Sequence, residues 1–461
     1  MSLELEAAPI LETALAKAGQ MAELFLEQSY SLSVVMDDAK IEKVIGGVDR
    51  GAGLRLIHDL RTAYAHTNDL SLEGLMPLAK NLAALAEGPR VAPLAARRLE
   101  PGLVCQVMRA PSQVATAAKV DLVRAADAAA RAVDPRVRQV RVMYLERVQE
   151  VRIVNSLGVE AWDQRVHLVL AVHCVAGDKG LMQVGYETAG GLGGLEVLEA
   201  AGPEAVAREA ARRAVMMLDA RPAPGGAMPV VLFSSAGGTM VHEAVGHGLE
   251  ADLVLEGMSV YQDKIGQQVA SPLITVIDDA TLPGRRGSSG FDDEGTPSRR
   301  NVLIDKGVLK GYMNDRLSAM KLGLETSGNG RRESYRQRPI PRMTNTMIAP
   351  GDDDAQAIIR DTPSGLLVKK MGGGQVNTVN GEFVFEVAEG YLIDRGQVGE
   401  PVRGATLTGS GPAVLMQIDR VASDLGFGLG TCGKEGQGSP VADAQPTLRI
   451  PNMVVGGLHQ D

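Results

Sequence analysis

The sequence predicts an α+β protein: an N-terminal α+β domain over residues 1–220, then a β-rich C-terminal domain over residues 221–461 that carries a metal-motif helix. Three observations lead there. In the first half, segments with helical apolar spacing stand beside runs that alternate apolar and polar residues. The stretch Pro222-Ala223-Pro224-Gly225-Gly226 reads as a linker. Behind it come short apolar runs separated by turns, and the 54 glycines concentrate there.

Taken in chain order, a helical pattern covers 8–26. A strand meander follows at 30–37, 40–46, 51–58 and 61–67, with Asp37-Asp38 and Asp59 as turn signals. Helices are expected near 71–87, 112–133 and 203–220. Between the last two, 137–152 and 159–175 alternate around Asn155-Ser156-Leu157-Gly158, a hairpin signature. After the linker, 230–233 is a short strand and a helix runs from about 239 to 255. Val241, Val245, Leu249 and Leu253 recur at four-residue steps along it and would pack one face. Segments 302–304 and 308–313 make a hairpin about Asp305-Lys306-Gly307. Segments 382–387 and 390–393 make another, and 414–419 is a further strand. No internal repeat or low-complexity segment occurs.

Composition narrows the function classes. Hydrophobic content of 45% and charged content of 22% are those of a soluble globular protein. Aromatics reach only 3%, so alanine, leucine, valine and methionine must build the cores. A chain of 461 residues can form two or three domains with large cores. The net charge of −9 argues against nucleic acid, because phosphate binding needs a basic footprint. No apolar run is long enough for a transmembrane helix, so no membrane association is expected. The N-terminus has no basic region followed by an apolar core, so no signal peptide is expected. Cys105, Cys174 and Cys432 are too few and too scattered for a disulfide framework, and cytoplasm is the default location. Cys105 and Cys174 sit among apolar neighbours and read as inert core thiols.

The chemistry concentrates in His242-Glu243-Ala244-Val245-Gly246-His247, taken together with Cys432. Two of the seven histidines lie in this hexapeptide. Two imidazoles and a thiolate suit zinc and leave a fourth coordination position open, as catalytic zinc sites do. Glu243 is the right kind of group to take a proton from water there. The histidines are five residues apart rather than the four of H-E-x-x-H. Five residues turn an α-helix by about 140°, which points the rings apart. The site therefore needs a π-type turn or a helix end near Gly246, where glycine relaxes the backbone. The hexapeptide alone also reads as two surface histidines beside a carboxylate.

Other features carry two readings each. Asp292, Asp293 and Glu294 offer oxygen ligands for a hard cation, or a solvated turn before Gly295, the commoner case. Arg331 and Arg332 suit a substrate carboxylate or carbonyl, or a salt bridge to the acidic surface. Gly372, Gly373 and Gly374, with Gly409 and Gly411, could present amides to a peptide backbone or simply turn tightly. His58, His66, His167 and His173 read as structural or surface residues, and His459 as part of a frayed tail.

The run 241–250 resembles the active-subunit branch of the TldD/PmbA family of metallopeptidases. So do Asp292-Asp293-Glu294-Gly295-Thr296-Pro297, Gly328-Asn329-Gly330-Arg331-Arg332-Glu333-Ser334-Tyr335, Pro341-Arg342-Met343-Thr344-Asn345-Thr346, Gly372-Gly373-Gly374-Gln375-Val376 and Cys432-Gly433-Lys434-Glu435-Gly436-Gln437. The blocks fall in family order and cover nearly the whole chain, most closely from about residue 225 onward. The sister PmbA/TldE branch resembles this one in fold but lacks the histidine-glutamate motif. The resemblance implies a zinc peptidase of unfolded or flexible polypeptides. His242, His247 and Cys432 would be the ligands and Glu243 the general base. Arg331, Arg332, Gly373 and Gly374 are candidate substrate contacts. The resemblance also implies a dimer, with a PmbA/TldE-type partner or with a second copy, and a site enclosed at that interface. A metal-stabilised scaffold or adaptor, and a hydrolase of small amides, are the alternatives.

Overall fold

The computed structural model describes residues 3–100, 102 and 105–458. His459 lies outside the described residues. Strands of the first half form one seven-stranded sheet. Its order is Arg61–Thr67, Lys40–His58, Met21–Asp37, Val137–Asn155, Val159–Asp178, with Arg97–Leu99 and Leu181–Leu192 both pairing with the last of these. All pairs are antiparallel except that of Arg97–Leu99.

The strand Met21–Asp37 shows how the sheet divides its two faces. Leu24, Leu26, Leu32 and Val34 point to one side, where two helix pairs cover them. Helices Ala8–Ala14 and Leu72–Leu85 cover one end, and Thr116–Arg131 and Pro203–Asp219 the other. Glu23, Phe25 and Glu27 point the opposite way, and they too are buried, against the second half of the chain.

The expected helix over 8–26 is corrected here: the helix is Ala8–Ala14, and Met21 onward is strand. Gly19 adopts φ +138°, and a Cβ there would meet Leu15 and Leu56 at 2.7 and 2.8 Å, so no helix passes it. The expected helices at 71–87, 112–133 and 203–220 are found at Leu72–Leu85, Thr116–Arg131 and Pro203–Asp219, and a short helix at Glu196–Ala201 was not foreseen.

The second half is β-rich. Five strands close on themselves: Ser364–Asn377, Gly226–Leu232, Leu448–Gly456, Thr406–Ser410 and Glu382–Asp394, the last pairing back to the first. A second sheet runs Val308–Leu309, Arg300–Asp305, Val276–Asp279, Asn345–Ile348, Gln437–Gln445, Gly426–Lys434, with the final strand at its edge. One hydrophobic core joins both sheets and includes Val241, Val245 and Leu249 of the motif segment.

Two further expectations are corrected. Residues 382–393 are a single strand, because the turn falls later, at Arg395-Gly396, both with positive φ. Residues 414–419 are not a strand: Gly411–Gln417 is a helix with Pro412 in its first turn, burying Val414 and Leu415. Among the described residues no helix is long and apolar enough to cross a membrane.

Candidate metal centre

The motif segment is helical but broken. After one α-turn at Thr239–Val241, residues His242–Gly246 form a π-helical turn in which the His247 N–H reaches the His242 carbonyl. A 3₁₀ turn at His247–Leu249 follows, Glu250 is extended, and a short helix resumes at Ala251–Leu255. The wider π turn brings the two imidazoles to one side despite their five-residue spacing. Their centroids stand 5.0 Å apart at 88°.

Gly246 serves a different purpose from the one its backbone freedom suggested. Its φ and ψ are −55° and −54°, which any residue adopts. A Cβ there would instead sit 2.0 Å from the Met343 thioether. The break at Glu250 also shifts the apolar register. Val241, Val245 and Leu249 are buried as expected, but Val254 fills the core in place of Leu253.

Cys432 arrives from the edge strand Gly426–Lys434. Its Sγ lies 3.2 Å from His242 Nε2 and 3.4 Å from His247 Nε2, and the three donor atoms are all within 4.8 Å of one another. Tetrahedral ligands at zinc–nitrogen and zinc–sulfur distances of about 2.0–2.3 Å stand roughly 3.3–3.6 Å apart. The two sulfur–nitrogen separations match such a set, and the donor chemistry is consistent with a metal. A second layer fixes the rings. His242 Nδ1 meets Asp443 Oδ1 at 2.9 Å, and His247 Nδ1 meets Glu250 Oε2 at 2.9 Å. Each carboxylate holds the proton on Nδ1 and leaves the Nε2 lone pair toward the centre.

Sequence reasoning assigned no role to Asp443, Glu250, Lys434 or Arg342. Lys434 Nζ reaches Glu250 Oε2 at 3.1 Å and Asp252 Oδ1 at 2.8 Å. Arg342, fully buried, donates to the Cys432 and Gln437 carbonyls and so pins the turn behind the thiol. Asp443 had a legible signal. Glu435-Gly436 is a tight-turn pair, and in the resulting hairpin Gly428 pairs with Asp443 and Cys432 with Ser439, on one face.

Burial pushes the Cys432 thiol up, but the two imidazoles outweigh it and bring it down to about 5. Burial opposes charging His247, yet Glu250 and Cys432 raise it to about 10. His242 is raised well above its ordinary value against burial, by Asp443 and Cys432. Glu250 falls to about 2 despite burial, through Lys434 and His247. Glu243 is half-buried, and burial raises its carboxyl; its charged neighbours are His242, His247, Cys432 and Asp443. Among the described residues nothing hydrogen-bonds the Glu243 carboxylate.

The other candidates go elsewhere. Asp292, Asp293 and Glu294 are not a solvated turn: all three are at most 2% exposed. Asp292 accepts from three backbone amides, Asp293 pairs with Arg165 at 2.6 Å, and Glu294 pairs with Arg55. Arg331 and Arg332 lie inside rather than on an acidic surface. Arg331 donates to the Met343 and Pro440 carbonyls, and Arg332 pairs with Glu23 and donates to the Asp293 carbonyl. Gly373 and Gly374 are exposed on the strand Ser364–Asn377, which also touches the π turn. Cys174 is buried and Cys105 is partly so, and burial raises both thiols.

Comparison with known proteins gives this arrangement a family. Residues 225–457 match the PmbA/TldA metallopeptidase C-terminal domain, 109–218 its central domain and 22–86 its domain 1. A Haemophilus influenzae protein named metalloprotease TldD homolog is 39% identical over 95% of this chain and 93% of its own. A Methanothermobacter thermautotrophicus metalloprotease is 37% identical over 95% and 96%. A Saccharolobus solfataricus protein named zinc metalloprotease TldD homolog is 31% identical over 53% and 55%. Among solved structures, a Thermotoga maritima protein superposes with TM-score 0.80 at 21% identity, covering 95% and 96%. TldE from Thermococcus kodakarensis superposes with TM-score 0.75 at 18% identity, covering 97% and 99%. These two share the fold. With 39% identity across 95% of its length and all three domains matched, the chain belongs to the PmbA/TldD family of metallopeptidases.

Proposed function

We propose that this chain is a zinc-dependent peptidase that hydrolyses peptide bonds in unfolded or flexible polypeptides, working with a PmbA/TldE-type partner in the cytoplasm. The observation that carries this reading is the convergence of His242, His247 and Cys432, with Glu243 alongside and without a hydrogen-bond partner among the described residues. A structural zinc takes four protein ligands, whereas a catalytic one keeps a position open. Among the described residues the group here has three. Bound there, zinc supplies polarisation of the scissile carbonyl and acidifies water toward a pKa of about 7. Glu243 accepts the water proton and delivers it to the leaving amine. Asp443 and Glu250 keep the imidazoles oriented while charge moves. Extended substrate can add along the edge strand Gly426–Lys434, which recognises backbone rather than sequence.

His242 and Cys432 are 6% and 4% exposed, so the centre is recessed, which suits a site that admits a flexible chain and excludes a folded domain. Metal analysis of His242→Ala and Cys432→Ser tests the ligand set: both should lose stoichiometric zinc and all cleavage. Retention of zinc by both variants sinks the assignment. Access is tested by comparing one target held folded by a tight ligand with the same target unfolded by mutation. Only the unfolded form should be cut, and equal rates would indicate an open surface cleft.

A further inference from the structure

Behind the strand that carries Cys432, the two halves of the chain border an open pocket of about 600 Å³. A row of hydroxyls from Ser29, Ser31 and Ser33 forms one wall, and Arg286, His167 and Thr431 contribute to the others. The Arg286 fork donates to the Gly430 carbonyl at 3.0 Å and to Thr431 Oγ1 at 3.1 Å. Burial alone shifts this guanidinium, down to about 10, and no carboxylate counters it. His167 is 7% exposed, and among the described residues its Nδ1 has no partner. Burial, with Arg286, Arg165, Arg147 and Arg331 around it, keeps this imidazole neutral, so one ring nitrogen can donate.

Of the three acids that line it, Asp49 pairs with Arg336, Glu146 pairs with Lys119, and Glu333 accepts from the Gly438 amide at 2.7 Å. A pocket bordered by a guanidinium that no carboxylate counters and by a neutral imidazole suits an anion. The planar guanidinium matches a carboxylate.

The cavity's place in the fold says which carboxylate. Thr431 lines it, and Cys432 is the next residue on the same strand. Successive strand residues face opposite sides, so the cavity and the metal centre lie on the two faces of one edge strand. A polypeptide crossing that edge reaches both at once. Resting on the peptidase reading above, we propose that this cavity is a carboxylate-binding subsite for the polypeptide substrate, holding an aspartate or glutamate side chain or the chain's C-terminal carboxylate through Arg286 and His167.

The test is equilibrium binding to the full-length, zinc-loaded chain carrying Glu243→Gln, so that peptides bind without turnover. Three unstructured peptides of one sequence are compared: neutral with a C-terminal amide, the same with a free C-terminus, and the amide with one glutamine replaced by glutamate. A carboxylate peptide should bind roughly ten- to a hundredfold more tightly than the neutral one, as expected for a charge-assisted hydrogen bond. Which of the two gains identifies the source. Arg286→Gln and His167→Gln should each abolish the advantage of the carboxylate peptides over the neutral one. Arg286→Lys, which keeps the charge and loses the fork, should keep part of it and guards against misfolding. Equal binding of all three peptides overturns the proposal, as does an undiminished advantage in both variants. Cleavage of the neutral amide peptide by the chain with Glu243 intact is read separately. Its failure while the carboxylate advantage stands would remove the peptidase reading and leave the anion site.

Discussion

At the residue scale, two substitutions separate chemistry from architecture. Glu243→Gln preserves shape and removes the proton acceptor. Zinc content should be unchanged while cleavage of an unstructured peptide falls by about 10²–10⁴-fold, the range for positioned acid–base catalysis. Full activity of a pure, zinc-loaded Glu243→Gln protein would assign the base elsewhere. Gly246→Ala tests packing instead. The added methyl meets the Met343 sulfur at 2.0 Å, and overpacking of this kind costs about 1–3 kcal/mol. Denaturant unfolding should show that loss, and Met343→Ala in the same chain should recover part of it. Additive losses would mean that the clash relaxes by another route.

At the scale of the element, the π turn and the Cys432 hairpin are held by their second layer. Glu250→Gln and Asp443→Asn keep a hydrogen-bonding group against each ring but remove its charge. Zinc affinity, measured by competition with a chelator, should fall about 10–100-fold in each. Wild-type affinity in both would show that the rings need no such support. How much of these elements the sequence disclosed follows from local physics. The five-residue histidine spacing demanded a non-α turn, and His242–Gly246 supplies one. Helices such as Thr116–Arg131 announced themselves by periodicity. The break at Glu250 did not, because it follows from a tertiary bond: Ala251 N–H reaches the Met313 carbonyl. The helix at Gly411–Gln417 was misread because a short apolar run has the same composition in either state. Asp292, Asp293 and Glu294 resemble a solvated turn until the arginine partners of Asp293 and Glu294, distant in sequence, are brought to them.

At the scale of the whole molecule, those partners clamp the two halves together. Arg165 of the first sheet pairs with Asp293, while Arg332 pairs with Glu23. Burial would raise the Asp293 carboxyl, but Arg165 and Arg332 outweigh it and hold it below its ordinary value. A depressed carboxylate contributes stability above its unfolded pKa of about 4 and loses it as the pH falls through that value toward the folded one. Asp293→Asn should therefore be less stable at neutral pH and show a shallower loss on acidification below about pH 4. Removing one partner of a buried pair costs about 3–5 kcal/mol. Equal acid profiles for parent and variant would show that Asp293 does not carry this term.

The metal centre draws its histidines and its thiolate from opposite ends of the second half. Any translation product that stops after His247 but before Cys432 contains both imidazoles and the acid, yet lacks the sulfur that closes the set. On the peptidase reading, competence would be tied to synthesis and folding of almost the entire C-terminal half, and a chain that stops before Cys432 would lack a complete ligand set. Contacts this far apart in sequence also form slowly. On the peptidase reading, the centre would therefore be completed only late, after most of the chain has been synthesised.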